Sequence, residues 1–210
     1  MKTLKGLLLM TCAALALIAL AGAGSASATV LCKSAPLTHV CPESDRYPVG
    51  TPVEFKLTGT LKMNAGFGTI GCSEGSIKGS ISSAGGEGQS VSFENSRFEL
   101  VESSCNCPTH TYNAGRMTIN WSEGTNDGTL EVKNLEIEVG PCFGDTCIYG
   151  GLFSYHSTLR GGSRALWDME ETPVPLVKQE NAIFIPCASP ERWTSRFEMV
   201  SPYPAYVEQK

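Results

Sequence analysis

Cys142 and Cys147, five positions apart in the stretch PCFGDTCIYGG, can form a redox pair, a metal clip or a covalent staple. The compartment in which the chain folds decides among these. A second cluster, CNCPTH at residues 105–110, places Cys105, Cys107 and His110 within reach of one ion, and Cys72 would complete a four-ligand zinc or copper set. Thiolates must escape oxidation to bind a metal, so in an exported chain these sulfurs are expected in disulfides, with His110 in a turn. No lysine, helix start or thioredoxin-like βαβ pattern adjoins them to stabilise a redox thiolate. No cofactor is expected.

Carboxylates offer a different chemistry. In LWDMEET, residues 166–172, a strand would project Asp168 and Glu170 from one face and Trp167 from the other. Paired carboxylates of this kind serve as acid and base in some β-sandwich glycosidases. The wider glycosidase pattern of Glu-x-Asp followed shortly by Glu is absent, so a solvated strand face is the simpler expectation, and the same holds for Glu136 and Glu138 in LEIEV. A serine hydrolase would need a base from His39, His110 or His156. No Gly-x-Ser-x-Gly elbow in a parallel α/β setting accompanies them. Asp127 in TNDG is too poor in oxygen ligands for calcium and fits a hairpin turn. NWS at Asn120 matches the glycosylation sequon, although it sits in an alternating strand pattern.

The compartment is read from the first residues. Lys2 and Lys5 precede an apolar run that thins into small residues and closes on Ala26-Ser27-Ala28, the pattern of a signal peptide over residues 1–28 cut before Thr29. No second apolar span or C-terminal anchor signal follows, so a secreted, extracellular product is expected. Removal of Lys2 and Lys5 from a formal charge of −5 leaves −7. With no basic cluster, nucleic acid and anionic membranes are poor partners.

Of nine cysteines, Cys12 lies in the leader, and the even remainder reads as four disulfides: Cys32, Cys41, Cys72, Cys105, Cys107, Cys142, Cys147 and Cys187. Turn-sized spacers favour the local pairs Cys32–Cys41 and Cys142–Cys147. Cys105 and Cys107 are too close to pair with each other and should reach separate partners, with Cys72 and Cys187 left to receive them.

The elements that must position these residues are strands. In PVEFKLTGTLKM, Val53, Phe55, Leu57, Leu61 and Met63 alternate with polar residues, the mark of a strand with one buried face. Alternation recurs through Ile77 and Ile81, Val91 and Phe93, and then Phe98 and Leu100 in the shifted register, which places a bulge at ENS, residues 94–96. YNAGR reads as a turn into the strand of Met117, Ile119 and Trp121, and Asp127-Gly128 as a hairpin turn. A further register change falls at Asn134. The segments CIYGGLFSYHSTL, ALWDME, NAIFIPC and RWTSRFEMV complete roughly ten strands, with no sustained helical period. The expectation is an all-β fold: one disulfide-braced antiparallel β-sandwich or jelly roll over residues 29–210, with 29–50 a disulfide-looped N-terminal segment.

TVLCKS after the leader, GFGTIGC, INW, CIYGG and the closing RWTSRFEMVSPYPAYV together resemble a group of small secreted cysteine-bearing proteins of high-GC Gram-positive (actinobacterial) soil bacteria. The similarity covers most of the mature chain. It implies a bacterial, secreted, β-rich protein and brings no catalytic residue with it. The functional expectation is a non-catalytic extracellular binding or structural protein whose ligand is carbohydrate or protein. Tyr149, Tyr155, Tyr203 and Tyr206 are available as contact surface, though most should pack in the core. A secreted carbohydrate hydrolase using Asp168 and Glu170, or a protease inhibitor presenting a cystine-braced loop such as 142–147, are the alternatives.

Overall fold

The computed structural model describes residues 28–66, 68–86, 88–142, 145–153, 157–180 and 186–210. The signal peptide expected over 1–28 lies, apart from Ala28, outside the described residues, as do Tyr155, His156 and most of the strand expected in NAIFIPC.

The described residues form fourteen strands: β1 (Thr29–Cys32), β2 (Pro52–Leu57), β3 (Leu61–Ala65), β4 (Gly68–Cys72), β5 (Gly75–Gly86), β6 (Gln89–Leu100), β7 (Thr109–Trp121), β8 (Gly128–Cys142), β9 (Asp145–Phe153), β10 (Ser157–Arg160), β11 (Leu166–Val174), β12 (Leu176–Glu180), β13 (Glu191–Ser201) and β14 (Tyr206–Gln209). The chain is all-β, as expected. The sandwich expectation is corrected, because the large sheet closes on itself. Strands β10, β11, β13, β2, β5, β6, β7 and β8 follow one another as antiparallel neighbours, and β8 returns to β10 through Thr129↔Thr158 and Gly128↔Leu159. An eight-stranded barrel has an interior that side chains can fill. Phe55, Phe93, Met117, Ile119, Leu130 and Phe197 do so here, with Trp167 stacked 5.2 Å from Phe197.

Two strands are long enough to serve two neighbours each. The start of β8 closes the barrel, while Val132–Cys142 pairs with β9, which carries β12. The end of β13 pairs with β2, while Arg192–Thr194 pairs with β3, which carries β4. A separate ribbon of β1 and β14 packs against β5, β6 and β7. Gly85, at φ +76°, lets this ribbon approach: a Cβ there would lie 1.7 Å from the Thr29 carbonyl oxygen.

Local punctuation was legible in part. The bulge falls at ENS, since Lys78 opposes Arg97 and Gly79 opposes Asn95, leaving Ser96 extra. Asn134 takes φ +58° where the β8–β9 register shifts. Two expectations are corrected. YNAGR is no turn; it lies inside β7, where a register shift between Thr111 and Asn113 and a positive φ at Gly115 twist the strand. The β7–β8 hairpin exists, but it turns at Glu123-Gly124. Gly128 is a strand residue required for close packing, 2.7 Å from the Asn120 carbonyl oxygen at its would-be Cβ.

All eight cysteines among the described residues are bridged: Cys32–Cys41, Cys72–Cys105, Cys107–Cys142 and Cys147–Cys187. The local pair Cys32–Cys41 is present and Cys72 receives Cys105, but Cys187, expected to receive the other of the Cys105/Cys107 pair, is bonded to Cys147 instead. The expected Cys142–Cys147 pair is corrected. These residues lie on the antiparallel neighbours β8 and β9, where Val139 opposes Cys147, and their sulfurs turn to Cys107 and Cys187. Among the described residues no helix is long and apolar enough to cross a membrane.

Candidate functional site

Strand β13 supplies the residues around which a site forms. Its period places Glu191, Trp193, Ser195, Phe197 and Met199 inward, and Thr194 and Arg196 outward. Both neighbours of β13 leave register at its centre. On one side Met169 opposes Ser195 but Thr172 opposes Trp193, so β11 carries one extra residue and bulges at Glu170-Glu171. Glu171 takes φ +48°, and its carboxylate accepts a hydrogen bond from the Thr194 hydroxyl at 3.2 Å. On the other side Leu57 opposes Phe197 and Lys62 opposes Thr194, so Thr58–Thr60 loop out between β2 and β3 opposite Ser195 and Arg196. Gly59 turns that loop at φ +93°.

The two departures shape the outer face of the barrel wall here, with Thr58 still donating its N–H and its hydroxyl to the Arg196 carbonyl. Above it lies an open depression of about 720 Å³ lined by Thr58, Thr60, Lys62, Arg160, Thr194 and Arg196, with Asp168 and Glu170 on its β11 side and Met169 and Ser195 at the floor. Ser195 is only 6% exposed, and its hydroxyl finds no hydrogen-bond partner among the described residues. A buried polar group left unpaired costs about 1–3 kcal/mol. The side chain shares the inward parity of Trp193 and Phe197, so this hydroxyl lies beneath the floor rather than in the groove.

Asp168 and Glu170 lie on the outer face of β11 with Trp167 on the inner, as expected, and both reach the groove. Their roles differ. Asp168 is fully engaged: Arg160 donates to its Oδ2 through Nε at 2.7 Å and Nη2 at 2.6 Å, and Arg196 Nε donates to Oδ1 at 2.5 Å. Held in this way it fixes two guanidinium groups in the groove wall and has no oxygen to spare for an acid–base step. Glu170 is exposed and forms no ion pair among the described residues.

The remaining candidates are dispersed. Cys72, Cys105 and Cys107 are in disulfides, so they offer no thiolate, and His110 lies in β7 beside Tyr112 rather than in a turn. CNCPTH instead covers a strand edge, because Asn106 lies along the free edge of β4. Its Oδ1 accepts from Gly71 N at 2.9 Å, its Nδ2 donates to the Thr69 carbonyl, and its own N–H donates to the Gly71 carbonyl. Glu138 accepts a hydrogen bond from the Tyr112 hydroxyl on an exposed strand face. Asn120 accepts from the Ser90 hydroxyl within β7. Of the tyrosines, Tyr149 is buried, Tyr206 packs on Cys32 and Cys41, and Tyr203 is exposed.

Two of the three buried carboxylates among the described residues, Glu191 and Glu208, show raised titration and were not singled out by sequence. Glu191 accepts from the Trp193 indole at 2.6 Å through Oε2, while its Oε1 is unpartnered among the described residues; burial pushes it up to about 7, with the Trp193 hydrogen bond opposing. Burial also raises the nearby Tyr149 hydroxyl, and Glu191 adds to that shift. Glu208 on β14 faces His39 of the Cys32–Cys41 loop, with Oε2 3.3 Å from Nδ1. Burial raises it, His39 opposes and Asp127 adds to the rise. Glu191 and Ser195 share the parity of Trp193 and Phe197, and that alternation was the available signal for both.

Comparison with known proteins gives no match to any family model, any curated protein or any solved structure. The function must be read from the groove itself.

Proposed function

We propose that this chain is a secreted, disulfide-stabilised binding protein whose ligand, a carbohydrate or a segment of protein, occupies the groove above Ser195. The open depression on the outer face of β11 and β13, where Asp168 holds Arg160 and Arg196 beside Lys62, is the observation that carries this reading. The charged wall supports it, since Arg160 and Arg196 are preorganised by Asp168 before any ligand arrives. Four disulfides suit an oxidising extracellular medium, as the leader and the resemblance to secreted actinobacterial proteins imply. The hydrolase alternative is weaker because Asp168 is occupied. The inhibitor alternative loses the bridge that was to brace residues 142–147.

The test is calorimetric titration of soluble polysaccharide and peptide panels into the folded protein and into Thr60→Trp, whose ring would fill the mouth. Saturable binding to the native protein that is lost in Thr60→Trp supports the proposal. Binding that is equal in both, or absent from both, overturns it. Release of new reducing ends during titration would restore the hydrolase reading.

A further inference from the structure

We propose that strands β6 and β7 fork to make a further binding site, distinct from the depression on β11 and β13, that takes up a short extended peptide carrying lysine or arginine as an added strand. The two strands are ladder-paired only through residues 91–94 of β6 and 116–119 of β7. Beyond that point β6 runs on to Leu100 against β5, and the first residues of β7 run against β8. Irregularities on both arms lie at the branch: the extra Ser96 in β6, and in β7 the register shift between Thr111 and Asn113 and the positive φ of Gly115. Side chains replace the ladder there, with Asn95 Nδ2 donating to the Ala114 carbonyl at 3.0 Å and Asn113 Oδ1 accepting from the Gly115 N–H at 2.9 Å. Residues 101–108, which join the arms, are pinned by Cys72–Cys105 and Cys107–Cys142, so the spread is fixed before any ligand arrives.

The backbone of both arms faces the gap. Hydrogen-bonding groups alternate sides along an antiparallel strand. Val101 N–H donates to the Glu74 carbonyl on the β5 side, so the groups of Leu100 and Phe98 point the other way. Gly140 N–H donates to the Pro108 carbonyl on the β8 side, so those of Thr109 and Thr111 likewise turn away from β8. These residues aim N–H and C=O groups into a cleft of about 440 Å³ lined by residues 97–102 and 109–111, and no strand among the described residues pairs with them there. Lining by consecutive residues means that backbone edges form the walls, and two facing edges are a template for an inserted strand. Four residues of extended chain, about 13 Å, match the length of the longer wall. Charge selects the occupant. Arg97 is spent on Glu99 at 2.6 Å, Glu102 forms no ion pair among the described residues, and Glu138 lies opposite His110 on the next strand. The rim is acidic, and a cation projecting outward from the inserted strand is favoured over an anion.

The experiment titrates the full mature chain with the acetylated, amidated peptide VKVKV, its charge-reversed form VEVEV, and VKVKV N-methylated at its lysines, with amide exchange followed by NMR. VKVKV should bind saturably below about 1 mM, more weakly as salt rises, and slow the exchange of Phe98, Leu100, Thr109 and Thr111. N-methylation removes the donors aimed at one arm and should weaken binding about tenfold or more. Thr111→Pro deletes a cleft-facing N–H outside the β7–β8 ladder, so it should keep a near-native unfolding midpoint and bind about fivefold more weakly. His110→Pro, which removes the neighbouring ladder donor, should unfold more readily. Thr60→Trp, at the other depression, should leave VKVKV binding unchanged. Absence of saturable VKVKV binding, equal binding of the N-methylated peptide, or protection confined to other amides overturns the added strand. Loss of binding in Thr60→Trp moves the peptide to the other depression and overturns the fork. Equal binding of VEVEV overturns the basic occupant. Destabilisation of Thr111→Pro to the level of His110→Pro overturns the backbone assignment on β7.

Discussion

Replacing Glu191 by glutamine should make the protein more stable at neutral pH and remove much of its pH dependence. The carboxyl is buried at the start of β13, shares one hydrogen bond with Trp193, and titrates at about 7 against an ordinary 4.5. Because the folded value lies above the unfolded one, the folded chain keeps a proton that the unfolded chain releases between pH 4.5 and 7. The protonated group therefore favours folding at acid pH, and that advantage disappears as pH rises through this window. At about 1.4 kcal/mol per pH unit, the loss is about 3 kcal/mol by pH 8. Glutamine keeps the acceptor for Trp193 and carries no charge at any pH. Urea unfolding midpoints of both proteins, measured from pH 4 to 8 at fixed ionic strength, should coincide at the acid end. They should diverge steadily toward pH 8, with the variant the more stable. Subtracting the two curves cancels every other titrating group, including Glu208, whose upward shift acts in the same direction. Parallel curves across that range would refute the reasoning.

Other perturbations have equally defined outcomes. His39→Ala strips Glu208 of its partner and should cost about 1–3 kcal/mol at neutral pH, and less at pH 4 where the carboxyl is protonated, by chemical denaturation. Gly85→Ala combines a positive φ with a Cβ 1.7 Å from the Thr29 carbonyl; it should cost more than about 1 kcal/mol and raise amide exchange in β1 and β14 before the barrel strands. Replacing Cys147 and Cys187 together by serine opens a link of sequence separation 40 and should lower stability by about 3–4 kcal/mol, read from the denaturant midpoint.

How far the sequence disclosed this molecule differs from element to element. Strand faces were visible because burial follows a period of two: the inward set Val53, Phe55, Leu61 and Met63 was readable in full, even though Gly59 divides it into two strands. Bulges at Ser96 and Asn134 were visible for the same reason, since an extra residue inverts the parity. Closure was not visible, because it depends on the start of β8 meeting β10, a pairing between residues about thirty apart that no local pattern encodes. Sulfur partners were hidden likewise: spacing found Cys32–Cys41 but misassigned Cys142, whose partner is chosen by where β7 and β8 lie. In the groove, Asp168 and Glu170 were placed on the right face. The arginines that occupy Asp168 come from β10 and β13, and only the barrel brings them together. Ser195 and Glu191 were overlooked because each is a polar residue within an apolar rhythm, where parity argues for burial and composition argues against it.

The Asn106 strap carries a consequence of its own. By mimicking a neighbouring strand along β4 and being tied there through Cys72–Cys105, it occupies hydrogen-bonding groups that would otherwise template another chain. Replacing Cys72 and Cys105 together by serine would leave the other three bridges in place while freeing the strap to lift from a ready seam for edge-to-edge growth. Loss of that one bridge would then show first as turbidity, before any melting of the fold.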